Sequence, residues 1–145
     1  MNRTWLVAHD FSDLAKKALA YGASQLVAIG GGRLVIVHVR PPRGPSYAAD
    51  GMPIAPAFDD VEEEIVAAIE KQLAAVAAGV QGIEVTTRIE NGNPGEVIAE
   101  LADELAVEQI VIGSHGRRGL GRLFIGSVAE QVLRRANVPV LVVKT

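Results

Sequence analysis

The chain is 145 residues long, 49% apolar and 21% charged, with a net charge of −3 and no cysteine. A domain of that size buries roughly two-thirds of the surface its unfolded form exposes, so a full core is available and disorder is not expected. Disulfide scaffolds, thiol catalysis and thiolate metal sites are excluded, and the acidic balance argues against a nucleic-acid binder.

No apolar run is long enough to cross a membrane, and the residues after Met1 pass straight into a strand pattern with no signal-peptide core. The expectation is a soluble cytoplasmic protein with one domain over residues 1–145. Residues 4–8 form the first apolar run of strand length and lead into His9-Asp10-Phe11-Ser12. Residues 12–29 then carry Leu14, Ala18, Gly22 and Leu26 at four-residue steps, which is helical spacing. Residues 33–39 are a second strand, nearly continuously apolar from Leu34 to Val37.

The stretch 40–58 has no periodicity and holds Pro41, Pro42, Pro45, Pro53 and Pro56 with Gly44 and Gly51 between them. It reads as a long flap-like loop on the carboxyl side of the second strand. Residues 59–78 place Val61, Ile65, Ile69, Leu73 and Val76 on one helical face. The acidic start of that helix, Asp59-Asp60 and Glu62 to Glu64, suits the helix dipole and solvent better than a cation.

Residues 83–89 alternate polar and apolar, and 94–106 form a helix opened by Asn93 as N-cap, Pro94 and Glu96. A short apolar strand covers 109–112. After a glycine-rich connection, a helix covers 127–136, where Ser127 and Glu130 have capping-box spacing. The last strand is 138–143.

Regular strand–helix alternation specifies an α/β protein, a Rossmann-like doubly wound parallel five-stranded sheet with helices on both faces. The alternating third strand belongs at an edge, whereas the wholly apolar second and fourth belong inside. That favours the order 3-2-1-4-5, with the switch point between the first and fourth strands, where such sheets bind ligands beyond their carboxyl ends. The loops at that point begin at Asp10 and Gly113. Strand five, Pro139-Val-Leu-Val-Val143, would be an apolar edge, and a bare apolar edge invites pairing with a second copy. A homodimer through this strand is the expected solution.

The connection after strand four carries Gly113-Ser-His-Gly116, nine further residues, and Gly126-Ser127. Glycines let a ligand approach the backbone closely, and a helix start offers free amides to a phosphate. His115 lies between the glycines, and Arg117, Arg118 and Arg122 follow; Arg117, beside Gly116, is the candidate phosphate ligand of the three. Neither a Walker-type loop nor a G-x-G-x-x-G set is present. A phosphoacceptor receiver domain would need further acids where Phe11 and Glu90 stand, and a flavodoxin-like carrier a hydroxyl-rich loop after strand one.

Gly113-x-x-Gly116-x9-Gly126-Ser127 resembles the nucleotide-binding signature of the universal stress protein family, in its ATP-binding branch. Strand one ending in Asp10 with Ser12 following, His38-Val39 closing strand two, and the run from Gly126 to Glu130 extend the resemblance over essentially the whole chain. It departs at Phe11, a position where glycine is common. By that resemblance Asp10 and the backbone of Ala8 and His9 would sit by adenine and ribose, and Val39 would touch the base. Ile112 and Gly113 would line the ribose side, with His115 and Gly116 near the phosphates, and Gly126, Ser127 and Val128 holding them.

The implied ligand is ATP with its accompanying Mg2+, which Asp10 would help hold indirectly. The implied role is regulatory, in a stress response. No lysine stands in the phosphate loop and no base is evident, so at most slow ATP hydrolysis is expected. The alternatives are a protein-interaction module of the same family with a weakly occupied pocket, or a binder of AMP or cyclic AMP.

Overall fold

Apolar runs that alternate with amphipathic segments can bury both sheet faces only if the intervening helices divide between them. In the computed structural model, which describes residues 2–42, 47–53, 59–116 and 124–145, this is how the chain is arranged. The order is β1 (Thr4–Ala8), α1 (Asp13–Ala28), β2 (Arg33–Arg40), α2 (Asp59–Ala78), β3 (Glu84–Asn91), α3 (Pro94–Glu104), β4 (Gln109–Gly113), α4 (Ser127–Arg135) and β5 (Val140–Val143). The five strands form one sheet in the order β3-β2-β1-β4-β5, and every pairing is parallel. The Rossmann-like order expected from the strand patterns is therefore the observed one.

Alternation along the strands sorts the core into two clusters. Val7, Leu34, Ile36 and Val111 face α1 and α2, where they meet Leu14, Ala18, Leu26 and Leu73. Leu6, Val35, Val37, Ile110 and Ile112 face α3 and α4, where they meet Ile98, Leu101, Ala129 and Val132. Both edge strands are less covered: β3 exposes Glu84, Thr86 and Thr87, and Val140 to Val142 of β5 are only half-buried. Among the described residues no helix is long and apolar enough to cross a membrane.

Boundaries differ from the sequence reading where local geometry overrides periodicity. α3 stops at Glu104 because Ala106 turns left-handed at φ 49, donating to the Asp103 carbonyl at 3.1 Å while Val107 donates to Ala102 at 3.0 Å. This pair of bonds is a Schellman motif that satisfies the last helical carbonyls. β2 runs one residue further than expected, to Arg40, whose side chain pairs with Glu62 of α2. Glu62, expected only to face solvent, thus ties the start of α2 to the end of β2. Of the 40–58 loop, the described part is a tight turn in which Tyr47 bridges Pro53 and Ala48 N–H donates to the Met52 carbonyl at 2.8 Å.

Leu6 is fully buried at the centre of the sheet. Leu6→Ala is expected to lower unfolding stability by about 2–5 kcal/mol in urea titration. Val85→Ala on the half-buried edge should cost measurably less.

Candidate functional site

Strand β1 ends in a turn that its own side chains hold. His9 is 3% exposed, and its Nδ1 accepts the Phe11 N–H at 3.1 Å. A ring nitrogen that accepts carries no proton, so the proton of the neutral imidazole sits on Nε2, which is buried with no hydrogen-bond partner among the described residues. His38 donates through Nδ1 to the His9 carbonyl at 2.8 Å and so fixes its own tautomer. Phe11 adopts φ 65, a left-handed conformation that costs a side-chain-bearing residue about 1–2 kcal/mol. Its ring lies 5.2 Å from His9 and 4.8 Å from His38, against the α1–α2 core. A positive φ is the physical reason glycine suits this position, and here the ring contacts offset the strain.

The next two residues complete the turn. Asp10 accepts the Ser12 N–H through Oδ1 at 3.0 Å, and Ser12 caps α1 by accepting from Ala15 at 3.1 Å. Asp10 is thereby free of capping duty, and its other oxygen, Oδ2, abuts Gly116, where any Cβ would overlap it. The two loops at the β1–β4 switch point are in contact through that carboxylate.

On the β4 side, Gly113 closes the strand so near α1 that a Cβ would stand 3.0 Å from Leu14 Cγ. Ser114 is buried, donating to the Val143 carbonyl at 2.8 Å and accepting the Gly126 N–H. That bond sets Gly126 against His115, with a Cβ at Gly126 placed 3.1 Å from both Ser114 O and His115 Cα. Gly126, not Ser127, is the N-cap of α4, and no side-chain cap bond forms there. The capping box expected of Ser127 and Glu130 is therefore absent: Ser127 lies inside the first turn, where its hydroxyl cannot reach back over its own amides. By contrast α1 and α3 are capped by Ser12 and Asn93. Among the described residues, the amides of Ser127 and Val128 in the first turn of α4 have no intrahelical acceptor and no side-chain one.

A cleft of about 940 Å³ runs over this carboxyl edge. It brings together Ala8, His9, Asp10, Val39, Ile112, Gly113, His115, Gly116, Gly126, Ser127 and Val128, the site residues named from sequence. Arg117, with Arg118 and Arg122, lies outside the described residues. The cleft has further walls that sequence reasoning left out: Ile69 and Gln72 from α2, Pro94 and Ile98 from α3, and Phe124 and Ile125 just before Gly126. Ile69 and Ile98 were visible only as core positions; nothing in their spacing marks them as facing a cleft. Among the described residues no group of three or more His, Asp or Glu is placed to hold a metal ion by itself.

Sheet order, switch-point cleft and glycine-framed loop together define an open Rossmann-like α/β protein. Residues 1–144 match the model of the Universal stress protein family. A universal stress protein of Thermus aquaticus is 32% identical over 145 residues, covering 99% of this chain and 100% of its own length. One from Bacillus subtilis is 33% identical over 144 residues, covering 96% and 97%. The chain belongs to the universal stress protein family. Among solved structures, a Methanocaldococcus jannaschii member superposes with a TM-score of 0.79 at 27% identity, covering 100% of this chain and 97% of that one. An Archaeoglobus fulgidus universal stress protein in complex with dAMP gives 0.67 at 25% identity, covering 98% and 97%.

Burial lowers the His9 pKa from its ordinary 6.5; Asp10 opposes the shift, and His38 and Lys16 add to it. The folded state therefore binds fewer protons at His9 than the unfolded chain does. Stability is complete above pH 6.5 and falls as the pH drops from there towards the folded-state value. Protonation would also place a hydrogen on Nδ1 and cost the Phe11 bond. Urea midpoints between about pH 7.5 and 5.5 should fall more steeply for wild type than for His9→Asn, whose side-chain oxygen can still accept from Phe11.

Proposed function

We propose that this chain is a regulatory adenine-nucleotide-binding protein of the ATP-binding branch, one domain over residues 1–145, acting in a cytoplasmic stress response. The observation that carries the reading is the uncapped first turn of α4, open to a cleft between the turn after β1 and the glycine-framed connection after β4. Amides left without acceptors at the positive end of a helix dipole are an anion site, and the missing side chains at Gly116 and Gly126 let Asp10 and His115 pack close against the backbone that frames it. The dAMP complex of the A. fulgidus relative supports a nucleotide as the anion.

In this reading Ser127 and Val128 hold the phosphates through backbone amides and the serine hydroxyl, with Gly126 placing them through its bond to Ser114, Gly116 and His115 across from them, and Arg117 adding charge. Ala8, Val39 and Ile112 offer apolar surface to base and ribose. Asp10, whose carboxylate abuts Gly116, is the carboxylate lining the cleft among the described residues, which suits a Mg2+ carried in by the nucleotide and otherwise held by phosphate and water. No residue of the described cleft is a clear base for an attacking water, so hydrolysis is slow or absent. The same edge exposure that marks β5 supports a homodimer through that strand, since three of its four residues are only half-buried.

Dimerisation is read by sedimentation: a dimer at micromolar concentration is expected, and a monomer overturns it. For the ligand, calorimetric titration with Mg-ATP should give a micromolar dissociation constant, about −8 kcal/mol. Gly126→Ala should weaken it by about tenfold or more. The dAMP-bound relative favours a second reading, a monophosphate ligand. Preference for AMP or cyclic AMP over ATP in the same titration would select it. A folded protein that binds none of the three leaves the protein-interaction module.

A further inference from the structure

Two helix starts line the cleft, that of α4 through Ser127 and Val128 and that of α3 through Pro94 and Ile98. Nothing in the anion-site argument explains why they stand as close together as they do. The explanation lies at Gly95, buried in the first turn of α3, where Asn93 Oδ1 accepts its N–H at 3.1 Å. A Cβ built on Gly95 would overlap both Oε1 and Cβ of Gln131 in α4 and would stand 3.0 Å from its Cδ. The amide end of Gln131 could rotate away, but its Cβ is fixed to the α4 backbone. Alanine at 95 therefore fits only if the two helices separate, on the order of 1 Å to restore ordinary carbon contacts. Below this contact the pair is closed by Ile98, Ala129 and Val132, and by Arg135, whose Nη2 donates to Glu96 Oε1 at 3.0 Å.

We propose that Gly95 is a positioning residue for the phosphate cradle: the missing side chain lets α3 seat against Gln131 and so sets where the first turn of α4 stands relative to Gly116. The proposal rests on the nucleotide reading of the site. Gln131 is one turn beyond Ser127, about 6 Å along the helix, so a displacement there is carried to the amides with little loss. A shift of that size takes a phosphate oxygen out of the hydrogen-bond range of about 2.7–3.2 Å. The apolar side of the cleft at Ala8 and Val39 belongs to the sheet and would not move.

The test compares a ligand that uses the cradle with one that does not. Gly95→Ala should weaken Mg-ATP by about tenfold while changing adenosine by less than about threefold. Adding Gln131→Gly to Gly95→Ala removes the colliding Cβ and should return ATP affinity to within about threefold of wild type. A thermal melt accompanies each titration. In a helix free of the collision, Gly→Ala raises the melting temperature; here it should fall, and rise again in the double variant. Equal losses for both ligands, no loss for either, or no recovery in the double variant overturns the proposal. If Gly95→Ala does not fold, the double variant must fold and bind ATP as wild type does, and its failure has the same meaning. Wild type that binds neither ligand refutes the nucleotide reading itself, which separates that failure from the loss of Gly95's role alone.

Discussion

The molecule depends on the opposite departures of the chain from β1 and β4. The two strands are neighbours, yet α1 leaves β1 to pack on one sheet face and α4 follows β4 onto the other. A parallel crossover has a fixed hand, so reversing the strand order at this point obliges the two connections to diverge. Neither helix can fill the space between them. The cleft is a result of topology, and the residues around it only decide what the space can hold.

What they decide, among the described residues, is how firmly the backbone at the opening is held. Gly116 is held to Asp10, Gly126 to Ser114 and His115, and the turn after β1 is locked by His9, Phe11 and His38. Each of these contacts fixes a stretch of chain whose amides would otherwise adapt to solvent. Preorganisation of this kind lets weak dipoles compete with water for an anion, because the donors do not have to be ordered when the ligand arrives.

The architecture was legible because it is written in patterns that extend over many residues. The polar–apolar alternation of Ile83 to Ile89 marked β3 as an edge, and the unbroken Leu34 to Val37 and Ile110 to Ile112 marked interior strands; sheet order followed. The N-cap at Asn93 was equally plain, since an Asn-Pro-Gly-Glu opening has few other uses. The Ser127 cap was misread because a serine three residues before a glutamate has the same spacing whether it precedes the helix or begins it. The hydrogen bond from Gly126 to Ser114 fixes that register, and it joins residues twelve positions apart. His9 hides in the same way: its burial depends on Phe11 and His38 arriving from two directions. Nothing in the sequence around Gly95 marks its contact, because Gln131 comes from a helix more than thirty residues further on.

The two helices that flank one face of the sheet beside the cleft are not equally anchored. α1 buries seven residues beneath it, whereas α2 has Leu73 as its fully buried residue among those described and otherwise rests on half-buried side chains and the Arg40–Glu62 pair. Segments with few buried contacts open at lower free energy than the rest of a protein. Amide hydrogens in α2 and the adjoining edge strand should consequently exchange with solvent well before those of β1 and β4. The molecule is then a stiff frame carrying one compliant flank, and a change in the cleft can be felt at that flank without disturbing the central sheet.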